Sequence, residues 1–164
     1  LYRCHFARCS WNSSHSPAEF PKMPIHTIRL SNPWLLPDAP QHPAAEHRVR
    51  LPASQGTPDQ QKNGPFALLR RFHSPTGLSE ATTVRIRLDV AAARPELLLN
   101  GQLVPPEFHE PVAASPDQHR FWFPVTTLLK HFNAAVVTLL PANPENTANH
   151  PTLLDAALLI EEQE

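Results

Sequence analysis
Three acids, two histidines and three aromatic or cationic side chains between residues 105 and 123 are the groups best placed to do chemistry. Glu107, Glu110 and Asp117 lie within one proline-rich stretch. Cleavage of a glycosidic bond needs two carboxyls held across it, about 5–5.5 Å or 6.5–9.5 Å apart. A solvated loop is the plainer reading, because nothing in the sequence marks these acids as buried. His109 and His119 flank the same stretch and suit a metal or a general base, but surface histidines explain them better. The ten histidines form no His-x-His or His-x-x-x-His pair that would place two imidazoles on one face. Carbohydrate recognition on a sheet calls for exposed rings that stack on sugar C–H faces, beside polar groups for the hydroxyls. Trp122 is the aromatic residue with a case: if Phe121 and Phe123 face a core, alternation turns Trp122 the other way. Phe108 and His109 can join it, with Arg120 or His119 as donors.

Other chemistries find less support. Cys4-His5 and Cys9, with His15 nearby, lack the second ligand pair of a zinc finger, so two free thiols are expected and no metal. The four glycines never fall into Gly-x-Ser-x-Gly or a phosphate-binding loop. No cofactor is expected. Fourteen basic against fifteen acidic residues supply no electrostatic footprint for nucleic acid or an acidic membrane. No apolar run of 18 or more residues offers a membrane-spanning helix.

The elements that must position these groups are short strands. Twenty prolines among 164 residues oppose long helices. Val84-Arg85-Ile86-Arg87-Leu88-Asp89-Val90 alternates without error, four apolar side chains one way and three charges the other. That is a half-buried strand with one wet face. Leu97-Leu98-Leu99 runs into Asn100-Gly101 and then Gln102-Leu103-Val104, a hairpin whose turn needs positive φ. Further strands are expected at 25–36, 47–51, 66–72, 121–125, 135–140 and 153–160. Pro124 argues for an edge position or a strand end. Residues 126–131 suit one helical turn with a threonine N-cap. Residues 37–46 and 53–64 read as surface loops. The sum is an all-β antiparallel sandwich.

Residues 1–23 have no periodic apolar pattern and no secretory signal. They are expected to be a disordered arm or the product of a start placed upstream of Met23, the only methionine. Asn12-Ser13-Ser14 fits a glycosylation sequon that matters only in a secretory pathway. The sandwich domain is expected over 24–161, with an acidic tail over 162–164 and, without a signal, a cytoplasmic location.

The order of pieces is familiar. Trp34 follows the first strand, and Leu51-Pro52-Ala53-Ser54 precedes a loop. Gly64 comes with Leu69-Arg70-Arg71-Phe72 and Pro75, then the alternating strand and Leu99-Asn100-Gly101. Phe121-x-Phe123-x-Val125-Thr126-x-x-Leu129 and Asn133 complete the series. From about Ile28 to Ile160 it resembles the N-terminal sugar-binding domain of the β-galactosidase and β-glucuronidase group of glycoside hydrolases. The resemblance implies a galactose-binding-like jelly roll, with Trp34 in its core. Pro124 stands where that family usually has an aspartate, and Pro105-Pro106-Glu107-Phe108-His109-Glu110-Pro111 replaces a glycine-rich loop. The family's chemistry sits in a separate barrel with two glutamates, without counterpart in these residues. The resemblance therefore implies a fold and an accessory role, because fold is not function. The function expected is a stand-alone, non-catalytic module binding a carbohydrate or glycoconjugate. The alternative is a protein-interaction or assembly module using the same face with no sugar bound.

Overall fold
In the computed structural model the described residues are 25–31, 33–36, 48–54, 65–113, 115–143, 145 and 150–162. The 1–23 extension with its cysteines and sequon, residues 37–46, and most of 53–64 lie outside them.

Alternation of apolar and polar side chains generates the first sheet. β6 (Thr82–Ala91) has a strict buried and half-buried alternation along its length. It lies between β12 (Thr152–Glu162) and β10 (Gln118–Pro124), both antiparallel to it. β1 (Ile25–Arg29) closes one edge beside β12, and β9 (Phe108–Pro111) closes the other beside β10. β4 (Ala53–Ser54) adds a short pairing to β12. The second sheet has the order β3 (Arg48–Val49), β2 (Trp34–Leu35), β5 (Phe66–His73), β11 (Phe132–Pro141), β7 (Ala93–Leu99), β8 (Gln102–Val104). Every pairing in both sheets is antiparallel.

The two sheets enclose one core. Ile86, Leu88, Val90 and Leu158 from the first sheet meet Leu68, Leu97, Val137 and Leu139 from the second. Phe123 and Trp34 are fully buried, and the Trp34 indole N–H donates to the Leu30 carbonyl at 2.9 Å. An indole inside an apolar core needs such a partner. The expected all-β sandwich is what forms.

Some local expectations change. Ala53 and Ser54 pair with β12 and so leave the expected loop. Residues 108–111 form an edge strand, although all four are exposed and carry no apolar alternation. Thr126 is not a helix cap. The turn over Thr126–Leu128 is 3₁₀, with Val125 at its N-cap and no side-chain cap bond. The Thr126 hydroxyl instead accepts from the Val84 N–H at 2.8 Å, which ties the turn to β6. β12 runs through Glu162, so the strand takes up the first residue of the expected acidic tail. Pro124 does end its strand, where its missing N–H costs no ladder bond.

One feature of the second sheet faces outward. Leu35, Leu69, Val136, Leu98 and Leu103 are successive cross-strand partners over five strands. They form a continuous aliphatic rung, with Leu103 66% exposed at its end.

Candidate functional site
Register decides which side chains of the first sheet share a face, because directly opposed residues point the same way. Phe123, Phe121 and His119 oppose Ile86, Leu88 and Val90, and so face the core side. Trp122 and Arg120 oppose Arg87 and Asp89 on the outer side. On β9, Phe108 opposes Trp122 and Glu110 opposes Arg120, again outward. His109 opposes Phe121 and returns to the inner side.

The five residues expected from the sequence are therefore split. Phe108, Trp122 and Arg120 come together on the outer face. Phe108 stacks on Trp122 with ring centroids 4.3 Å apart and planes 20° from parallel. The Arg120 guanidinium lies 5.9 Å from the Trp122 ring centroid, within cation–π range. Trp122 is half-buried, and Phe108 is 47% exposed at the sheet edge. His109 and His119 lie on the other side of the strand, around Phe121. His109 stacks on that ring at 5.2 Å, and the two imidazoles are 6.3 Å apart. Nδ1 of His119 is buried without a hydrogen-bond partner.

A ladder of ion pairs runs beside the aromatic stack. Arg85 donates to Glu107 at 2.7 Å and also pairs with Glu161. Arg87 donates to Asp155 at 2.8 Å, and its Nε lies 3.4 Å from Asp89 without hydrogen-bond geometry. Arg120 holds both oxygens of Asp89, at 2.9 and 3.1 Å, and lies 3.5 Å from Glu110. The bidentate Arg120–Asp89 contact fixes the guanidinium plane. Asp155 reaches this face through an irregularity in β12. Leu153 opposes Val90 on the inner side, while Asp155 opposes the very next residue, Asp89, on the outer side. The extra residue, Leu154, reverses the alternation.

Two of these contacts shift the pKa of groups they join. The hydrogen bond to Glu107 raises the Arg85 pKa above its ordinary value, against the opposing effect of burial. The same bond holds the Glu107 carboxyl below the usual glutamate range. The bond to Asp89 likewise raises Arg120. Glu107 and Asp117 do not converge. The Glu107 N–H bonds the Trp122 carbonyl, whereas Asp117 precedes β10 at its far end. Five residues of strand put them roughly 15 Å apart along the backbone. Among the described residues, no group of three or more His, Cys, Asp and Glu side chains suits a metal ion.

A cleft of about 620 Å³, which no motif in the sequence marks, lies between β1, the end of β12 and the turn after β5. His26, His73, Ser74, Thr76 and Glu162 are among its polar lining residues, beside Ile28, Leu78 and Ile160. Ser74-Pro75-Thr76-Gly77 signals the turn but not the strands it meets. Among the described residues no helix is long and apolar enough to cross a membrane.

No protein-family model matches the chain, and no curated protein matches it significantly. Solved structures do. An FMN-binding β-glucuronidase from Facaelibacterium prausnitzii L2-6 matches with a TM-score of 0.56 and 15% identity, over 84% of this chain and 23% of that one. A β-glucuronidase from Ruminococcus gnavus, in complex with N1-substituted uronic isofagomine, matches with a TM-score of 0.56 and 12% identity, over 88% of this chain and 31% of that one. The likeness is one of fold, to a part of each enzyme, and agrees with the resemblance carried by the residues between Ile28 and Ile160.

Proposed function
We propose that this chain is a non-catalytic carbohydrate-binding module whose outer sheet face, around Phe108 and Trp122, receives a sugar or glycoconjugate. The observation that carries it is the Phe108–Trp122 stack beside planar, ordered carboxylate and guanidinium groups on one surface. Rings supply the contact for a sugar's C–H face, and carboxylate oxygens supply acceptors for its hydroxyls. Glu107 does not suit the acid half of a glycosidase pair, which needs a raised pKa, because Arg85 lowers this one.

A glycan array tests the reading. Wild-type protein is expected to retain a defined set of glycans, and Trp122→Ala and Phe108→Ala to lose them while still folding. No retained glycan refutes the function. Retention by Trp122→Ala with loss by His73→Ala places the sugar in the cleft instead.

A second reading rests on the aliphatic rung of the other sheet. Five apolar residues in register across a sheet's outer face suit assembly with a second copy. Sedimentation of wild type against Leu103→Glu tests it: a dimer abolished by the charge supports assembly, and a wild-type monomer removes it.

A further inference from the structure
We infer that the Phe108–Trp122 face selects uncharged pyranosides and rejects uronates. This rests on the carbohydrate-binding reading and goes beyond it to the class of sugar. An acidic sugar is ordinarily held by a free arginine that can grip its carboxylate in two places. Register places four arginines on this face; the three nearest the rings are all engaged, and the fourth, Arg29, is exposed on the edge strand β1, three strands away from Trp122. Arg85 is shared between Glu107 and Glu161, Arg87 between Asp155 and Asp89, and Arg120 between Asp89 and Glu110. Five carboxylates against these three guanidinium groups, with Arg29 at the far edge the fourth, leave the face net acidic by one charge.

The depth of the groups sharpens the point. The arginine side chains keep 20%, 20% and 32% of their exposure, while Glu107, Asp155 and Glu110 keep 42%, 39% and 53%. Asp89 and Glu161 lie about as deep as the arginines, at 16% and 25%, so beside the rings a ligand meets the Glu107 and Glu110 oxygens before the guanidinium groups of Arg85, Arg87 and Arg120. Ionised carboxylates only accept hydrogen bonds. Vicinal sugar hydroxyls can donate to them, whereas a sugar carboxylate is repelled and has nothing to donate. Glu107, held ionised by Arg85, keeps its negative charge through the neutral range. The proposed preference is the opposite of the uronic ligand borne by the Ruminococcus gnavus enzyme of like fold.

The test compares sugars that differ only at C6: glucosides with glucuronides, and galactosides with galacturonides, each presented multivalently on a carrier protein to the full chain. At least one neutral member is expected to bind at low salt, with its uronate weaker by about tenfold or more. Glu110→Gln removes one exposed charge and is expected to narrow that gap several-fold, as is added salt. An unchanged melting temperature certifies that the variant is folded. Uronates bound as well as or better than their neutral partners overturn the selectivity and leave the carbohydrate reading standing. A gap untouched by both Glu110→Gln and salt overturns its electrostatic origin. Binding of neither class overturns both readings.

Discussion
Asn100 donates its side-chain amide to the carboxamide oxygen of Asn133 at 3.0 Å, joining the β7–β8 turn to the start of β11. The same Asn100 Nδ2 donates to the Leu128 carbonyl at 2.9 Å, and its Oδ1 accepts from the Ala134 N–H at 3.0 Å. Asn133 is 3% exposed and bonds both the N–H and the carbonyl of Lys130. A residue that the turn needs for its backbone, at φ 53°, thus also fastens the 3₁₀ turn and a central strand.

Asn100→Gly separates the two roles. Glycine accepts the positive φ but leaves buried partners without their bonds, at a cost of about 1–3 kcal/mol. A fall in Tm of several degrees is expected, and more for Asn100→Ala, which also strains the backbone. Equal melting of Asn100→Gly and wild type would show that the amide network contributes nothing.

Gly101 isolates the backbone effect. Its φ is +84°, and an added Cβ would meet nothing within 4 Å. Gly101→Val is therefore expected to lose about 1–2 kcal/mol through conformation alone. Gly101→Asn should recover part of that loss in a thermal melt, because asparagine tolerates the left-handed region. Valine and asparagine variants of equal stability would contradict this account.

Legibility followed how local each signal was. Strand β6 was readable because wet and dry faces alternate in seven consecutive residues, and Asn100-Gly101 because its turn geometry demands those residue types. The outward turn of Trp122 followed from the inward Phe123. Strand β9 was not readable, since an exposed edge strand has no apolar pattern to betray it. Without its register, Phe108 and His109 looked equally available, although they point to opposite sides. The ion-pair ladder was hidden for another reason. Arg85 meets acids 22 and 76 positions away, and Asp155 joins only because of the β12 irregularity.

Acid should weaken the fold through Glu107. Its folded-state pKa lies below the ordinary 4.5, through the Arg85 hydrogen bond. The stability it contributes is thus fully present above the unfolded value and is lost as pH falls through the folded one. Unfolding midpoints in urea should drop between pH 5 and the acid limit, at roughly the range where such carboxylates protonate. Glu107→Gln should flatten that drop, and by a small amount because the pair is partly exposed. Superimposable pH profiles for the two proteins would deny Glu107 this role.

The Phe108–Trp122 stack should also be measurable as a coupling. Both rings sit on the outer face, one on the edge strand β9 and one on β10, so neither fills the core. The expected loss for each alanine variant is accordingly below the ~3–5 kcal/mol typical of a buried aromatic. Removing either ring also abolishes the contact between them, so the double variant should be less destabilised than the sum of the single ones. Aromatic pairs of this geometry are worth about 0.5–1.5 kcal/mol beyond area burial. Denaturant melts of wild type, Phe108→Ala, Trp122→Ala and the double variant give that coupling directly. Strict additivity would mean that the rings do not touch in solution, and the platform proposed for a sugar would then lose its floor.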